Sequence, residues 1–484
     1  MRSRRLAPSF AFLAMVAGIV ACAGKSTGLP PVLSPNFQDA AIKEKIQHVV
    51  IVIQENRSFD NFFATFPGAD GTRTGKAAAM PRSIAESCNE PIERPTTIPL
   101  KEVDLAPTPG PSATWQDLDH LYRGFKIDYD GGKMDGFDLS FYGSSGLGGP
   151  TCRYSYQYVN PAQIAPYWDM AKQYVLADHT FQQQGSGSFT AHQELIAGGT
   201  LITPNEALID NASFFPWGCD ANKSVVTAII KPGGKVYEFG GPFPCFNYTT
   251  LRDLLDAKSV SWKFYAQAVQ KESGPQKGDT GGIWSAFDAI KAVRYSPEWH
   301  NNVTRSSLDI FNDIKNRRLP AVSWVTPDGA NSDHPGEFSM RQEPVDTGPS
   351  WVASIVNAIG ESPYWKSTAV VILWDDWGGY YDHVPPPLPR NWQGGPGFRV
   401  PMLIVSPYVK PHVDHTVYQF GSILKFVEDV WSLGSLGRND AHSASIGNAF
   451  DFNMPPRPFK KIPAKYPLDF FLHQKPSGIP PDTE

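Results

Sequence analysis

Two adjacent pairs of oxygen-bearing side chains, Glu55-Asn56 and Asp375-Asp376, stand at the end of apolar runs of strand length, the first after Gln54 and the second directly. Grouped carboxylates repel one another unless a cation offsets their charge, and hard divalent ions take oxygen ligands. Together the pairs predict one divalent metal site, with calcium a candidate; either pair alone would read as loop acids or helix caps. The stretch QGSGSFTAH, 184–192, sets Ser186, Ser188 and Thr190 among glycines. Glycine permits the tight turns that expose a hydroxyl, and a nearby metal lowers a hydroxyl's pKa or orients its attack. Read alone, the stretch is more simply a flexible loop. It is not the G-x-S-x-G elbow of a Ser-His-Asp esterase, because Phe189 stands at the fifth position. His120, His334 and His383 lie beside acids or prolines. An imidazole so placed can bind a phosphoryl oxygen or protonate a leaving alkoxide, although a lone histidine is more often structural.

These residues need elements to hold them. The unbroken apolar runs IQHVVIVI (46–53), VVILW (370–374) and VPMLIVS (400–406) predict strands buried on both faces, as in a mostly parallel α/β sheet flanked by helices. Ligands of such sheets bind beyond the carboxyl ends of the strands. Glu55-Asn56, Asp375-Asp376 and Pro407-Tyr408 occupy those places. Helical patterns cover 160–174, 249–258, 349–361 and 416–431, while 64–150 is dense in Pro and Gly and reads as a cap insertion. The tail, 453–484, is proline-rich and is expected to wrap the surface.

Three arginines precede an apolar run that ends at Cys22, the order of a secretory signal over 1–21. Ile19-Val20-Ala21-Cys22 also has the form of a lipoprotein cleavage box, so Cys22 is expected to carry lipid, with 22–45 an anchor and linker. That places the protein in the periplasm or at the cell surface, held at the outer membrane. The remaining cysteines are Cys88, Cys152, Cys219 and Cys245, an even set in a chain bound for an oxidising compartment. Of the three possible pairings, chain order favours Cys88 with Cys152 and Cys219 with Cys245. A net charge of −5 with scattered Lys and Arg speaks against a nucleic-acid duplex as partner.

The sequence resembles the bacterial phosphoesterase family that contains non-haemolytic phospholipases C and respiratory-burst-inhibiting acid phosphatases. The resemblance is carried by IQHVVIVIQENRSFDNFFATFPG (46–68), GKMDGFD (132–138), DHP (333–335), WDDWGGYYDHVPPP (374–387) and GPGFRVPMLIVSPY (395–408), in the family's order. It implies a core like that of alkaline phosphatases and sulfatases, here over 46–452. It assigns Glu55, Asn56, Asp375 and Asp376 to the metal, and Ser188 to the nucleophile by its distance from Ala197-Gly198. His192 falls at the segment's final basic position, while Thr190 and Ala191 depart from the family's usual Pro-Asn. His120 and His334 match histidines that stabilise phosphoryl oxygens or the leaving group. Arg294 stands where many members carry a histidine, and it joins His192 and His383 as expected phosphate contacts.

The expected activity is metal-dependent hydrolysis of phosphate monoesters through a phosphoseryl intermediate. One alternative is phospholipase C cleavage of a phosphodiester headgroup. Another, from a different class, is a catalytically silent surface protein that binds partners through its aromatic-rich loops; the complete set of metal-type residues speaks against it.

Overall fold

The computed structural model describes residues 42–91, 96–105, 117–143, 148–210, 217–268, 282–335, 346–387 and 390–475. The leader and Cys22 lie outside them. A seven-stranded sheet organises the chain: β1 (His48–Gln54), β2 (Val175–Ala177), β3 (Trp262–Tyr265), β4 (Val322–Val325), β5 (Thr368–Trp374), β6 (Met402–Val405) and β7 (His412–Asp414), in the order β3-β4-β1-β5-β6-β2-β7. Val49 to Ile53 of β1 have no exposed surface, which is why that run is apolar without alternation. Burying each such side chain is worth about 1.5–3 kcal/mol relative to leaving it in water.

The sheet is mixed. β3, β4, β1 and β5 run parallel, β6 runs antiparallel to both β5 and β2, and β7 is parallel to β2. Pro407-Tyr408 therefore lie at the opposite edge from Glu55 and Asp375, contrary to the expectation for that third run. An apolar run looks the same in either direction. The reversal brings the amino end of β6, where Arg399 and Val400 lead in, to the edge that carries the acids.

Helices cover the sheet. Besides the short α1 (Phe59–Phe63) they include α2 (Ala165–Gln173), α3 (Ser188–Ala197), α4 (Leu251–Ala257), α5 (Gly348–Gly360) and α6 (Phe420–Trp431). α2, α4 and α6 fall within three of the four segments expected to be helical, and α5 matches the fourth, 349–361, one residue earlier at each end. All residues of α3 are buried; it packs against α6, and the Trp324 indole N–H donates to Leu195 O at 3.1 Å, tying α3 to β4. The described part of 64–150 shares a second, smaller core with later segments, in which Phe125 and Phe137 pack with Tyr156, Trp377, Tyr381 and Phe398. Disulfides join Cys88 to Cys152 and Cys219 to Cys245, the pairing that chain order favours. Among the described residues no helix is long and apolar enough to cross a membrane.

Candidate active site

β1 and β5 are in register to their last residues, Gln54 opposite Trp374, so Glu55 and Asp375 are the next residues on neighbouring strands. Parallel pairing alone brings these two carboxylates together across 320 positions of sequence. Backbone N–H groups of Asn56 and Asp376 donate to Asp375 Oδ1 at 3.0 and 2.8 Å. Asp375 Oδ2 is buried with no hydrogen-bond partner among the described residues. Asn56 holds a left-handed backbone, φ 56°, which asparagine tolerates better than most residues. The turn after Asp376 passes so close to it that a Cβ on Gly378, itself at φ 59°, would meet Asn56 O at 2.3 Å; only glycine fits there.

α3 supplies the third wall. Gly187 caps it in an extended conformation and Gly198 ends it with φ 66°, the usual glycine role beyond a helix terminus. The stretch 184–192 thus becomes a helix start, with Ser188 and His192 one turn apart on the same face. His192 Nε2 lies 2.9 Å from Glu55 Oε1 and 3.6 Å from Asp375 Oδ2. Ser188 Oγ donates to Asp376 Oδ2 at 3.2 Å. Ser186 and Thr190 face elsewhere: Thr190 Oγ1 donates to Ser186 Oγ at 2.8 Å, and Ser186 Oγ donates to Asp210 Oδ1 at 3.2 Å. Burial pushes the Asp210 carboxyl up to about 7.

The Asn56 amide stands between the acids and two histidines. One end lies 3.2 Å from both Asp375 Oδ1 and Glu55 Oε2, and 3.5 Å from Ser188 Oγ. The other lies 3.2 Å from His120 Nε2 and 3.1 Å from His334 Nε2. Nδ1 of His120 faces Leu118 O at 2.7 Å and Nδ1 of His334 faces Pro335 O at 2.6 Å. A carbonyl can only accept, so each Nδ1 carries a proton and each Nε2 is presented to the site.

With its oxygen toward the acids, the amide adds a further acceptor to a cluster of acceptors, and only a cation satisfies such a set. With no cation there, the amide nitrogen belongs on that side, donating to both carboxylates. Glu55, His192 and Asp375 each offer a ligand atom within 4.8 Å of the others. The orphaned Asp375 Oδ2 and the acceptor-lined Asn56 amide fit a divalent ion held among them. Sequence reasoning sets His192 with phosphate; the structure places it against the two acids. The signal for this was the four-residue spacing from Ser188, which has meaning only once a helix starts there.

Arg294 and His383 lie in other networks. The Arg294 guanidinium bonds Asp220 at 2.8–3.0 Å and faces Asp288 at 3.4 Å. His383 Nδ1 bonds Asp60 Oδ2 at 2.6 Å. Burial opposes charge on that ring, but the Asp60 carboxylate outweighs it and the pKa is raised. Asp60, Asp382 and His383 could hold a cation by geometry, yet the buried Arg399 already stands there, its Nε 2.8 Å from Asp382 Oδ1 and its Nη2 3.5 Å from Asp60 Oδ1.

The Phosphoesterase family model matches residues 46–434. The chain belongs to this family. It is a phosphoric ester hydrolase by that membership, with a candidate metal centre at the strand ends. Phospholipase C B of Mycobacterium tuberculosis strain H37Rv is 26% identical over 452 residues, 86% of this chain and 79% of that one. The non-hemolytic phospholipase C of Pseudomonas aeruginosa is 25% identical over 501 residues, 93% and 65%, and the non-specific phospholipase C1 of Arabidopsis thaliana 23% identical over 479, 92% and 77%. Among solved structures, an alkaline phosphatase superfamily protein from Vibrio parahaemolyticus aligns over 82% of this chain and 70% of that one, with TM-score 0.37 and 11% identity.

Proposed function

We propose that this phosphoesterase is a phospholipase C, cleaving the phosphodiester of a phospholipid headgroup, in place of the monoesterase activity expected from the motifs. The relatives named above are phospholipases C and align along most of this chain. The observation that carries the chemistry is Ser188, whose hydroxyl faces Asp376 and Asn56 while its two neighbouring hydroxyls bond each other.

Ser188 Oγ attacks phosphorus and its proton passes to the Asp376 carboxylate it already addresses. The phosphorus–oxygen bond to the glycerol breaks, and the departing alkoxide takes the Nε2 proton of His120 or His334, the donor ring entering the cycle as an imidazolium protonated on both nitrogens. Water then attacks the phosphoseryl diester and gives its proton to the imidazole that protonated the alkoxide; the phosphorylated headgroup is released as Ser188 Oγ takes its proton back from Asp376. A divalent ion held by Glu55, Asp375, His192 and the Asn56 amide oxygen would supply charge stabilisation for the phosphoryl oxygens and lower the pKa of the hydroxyl. An imidazole in that set moves the preference from calcium, which takes oxygen ligands, toward a first-row transition ion. The two disulfides support export to an oxidising compartment, and lipidation at Cys22 is the anchor we propose.

The deciding experiment offers phosphatidylcholine, p-nitrophenyl phosphorylcholine and p-nitrophenyl phosphate to purified protein and follows diacylglycerol, phosphocholine and phosphate. The expected result is diester cleavage with kcat/KM at least about tenfold above the monoester, a difference of about 1.4 kcal/mol at the transition state. Turnover of the monoester with both diesters untouched would restore the phosphatase reading.

A further inference from the structure

A second set of ligating side chains lies along the same edge of the sheet. β2 and β7 are parallel and pair Ala177 with Asp414 at their ends. Asp178 and His415 therefore follow neighbouring strands just as Glu55 and Asp375 follow β1 and β5. Asp178 Oδ1 lies 2.8 Å from His179 Nδ1 and 3.0 Å from His415 Nδ1. One ligand atom from each of the three lies within 4.8 Å of the others. The Asp178 side chain is fully buried, while those of His179 and His415 are 21% and 59% exposed, so a solvated ion can reach the cluster from outside.

The surroundings aim these atoms. Asp70 N–H donates to Asp178 Oδ2 at 2.8 Å, fixing the carboxylate. Asp70 Oδ2 lies 3.3 Å from His179 Nε2, placed to accept the Nε2 proton when Nδ1 holds an ion. A carboxylate that orients a histidine through its far nitrogen is the usual support of a metal ligand. His179 Nδ1 and Asp178 Oδ1 face each other at 2.8 Å, and an ion entering the cluster takes both atoms as ligands in place of that hydrogen bond. At the neighbouring Asp60-Asp382-His383 cluster the buried Arg399 supplies the cation; at Asp178 Arg399 reaches only the backbone carbonyl, at 2.9 Å.

We propose that Asp178, His179 and His415 form a second metal site, for Zn²⁺, oriented by Asp70 and completed by water. Two imidazoles and a carboxylate are a zinc donor set with one open position. The β1–β5 pair and the β2–β7 pair are three strand spacings apart, centre to centre, which puts this site roughly 14 Å from the Glu55-Asp375 cluster. Paired catalytic ions sit only about 3.5–4 Å apart; this ion is structural. It ties the end of β7 to the segment that runs from Asp178 into Ser188.

The test uses the whole protein, stripped with a chelator, loaded with Zn²⁺, desalted and assayed for zinc and for Tm. Wild type should hold one more zinc ion per chain than His415→Ala, whose exposed side chain can be removed with little packing loss. Added Zn²⁺ should raise the Tm of wild type more than that of the variant. Asp70→Asn, which keeps all three ligands, should bind the ion about ten- to a hundredfold more weakly. Asp375→Asn marks the other centre, and its deficit should add to that of His415→Ala in the double variant. Equal zinc content in wild type and a folded His415→Ala overturns the proposal, whatever Asp375→Asn or any assay of ester hydrolysis shows.

Discussion

Ser188 and His192 stand one turn apart on α3 and address different carboxylates, Ser188 Oγ facing Asp376 Oδ2 at 3.2 Å and His192 Nε2 facing Glu55 Oε1 at 2.9 Å. A single helix thus closes the gap between the two strand ends. It sets a hydroxyl on one side of the acidic cluster and an imidazole within it. The helix is buried on every side, so neither side chain can turn away without disturbing the core.

The nucleophile can be tested residue by residue. Ser188→Ala should lower kcat by roughly three orders of magnitude or more while leaving metal content and binding of the phosphorylated product in place. Ser186→Ala and Thr190→Ala remove hydroxyls that bond each other and should retain substantial turnover. Acid quenching during turnover should leave phosphate on the peptide that contains Ser188. Phosphate on Thr190 would shift the register by two residues, and three active variants without any phosphopeptide would favour attack by water.

His192 separates a metal ligand from a phosphate contact. His192→Ala should lose bound divalent ion in elemental analysis and lose activity with it, and a large excess of ion should recover part of the activity. A contact to phosphate alone would raise KM and leave metal content unchanged. Full occupancy in the variant would return the residue to the phosphate side of the site.

Glu55-Asn56 and Asp375-Asp376 are legible in the sequence because a doubly buried strand is an unbroken apolar run whose end is marked by its first polar residues. Strand direction leaves no such mark, and VPMLIVS ends at the far edge. The role of His192 depends on where α3 begins, a boundary that glycines at 185 and 187 conceal in a stretch resembling a loop. Asp178 and His415 are 237 residues apart; only the pairing of β2 with β7 joins them. Arg294 fails to reach the acidic cluster through its described partners because Asp220 and Asp288, ordinary acids in the sequence, hold it elsewhere.

Arg399 should prove a strong determinant of stability. Its guanidinium is fully buried, bonds Asp382 at 2.8 Å, and donates to the carbonyls of Asp70 and Asp178 at 2.8 and 2.9 Å. Removing one member of a buried ion pair strands the other charge and costs about 3–5 kcal/mol. Arg399→Met should show that loss in urea unfolding, and Arg399→Met combined with Asp382→Asn should recover part of it. A single variant as stable as wild type would mean that water replaces the guanidinium.

Asp333, just before His334, makes stability depend on pH. Burial raises its carboxyl to about 7, against the opposing pull of the Tyr167 hydroxyl and the Arg57 charge. Tyr167 donates to Asp333 Oδ2 at 2.6 Å. In the unfolded chain the same group titrates near its ordinary value of about 3.9. Between those values the folded state holds a proton that the unfolded state has released, so the stability gained from the neutral carboxyl is whole below about 4 and is lost as pH rises toward 7. The full span corresponds to about 4 kcal/mol. Asp333→Asn keeps an acceptor for Tyr167, tolerates the left-handed backbone at φ 65°, and cannot ionise. The variant should match wild type near pH 4 and become the more stable protein by a few kcal/mol near pH 7 in urea titrations. Parallel stability profiles for the two proteins would show that Asp333 is ionised in the folded state, compensated by the Arg57 charge.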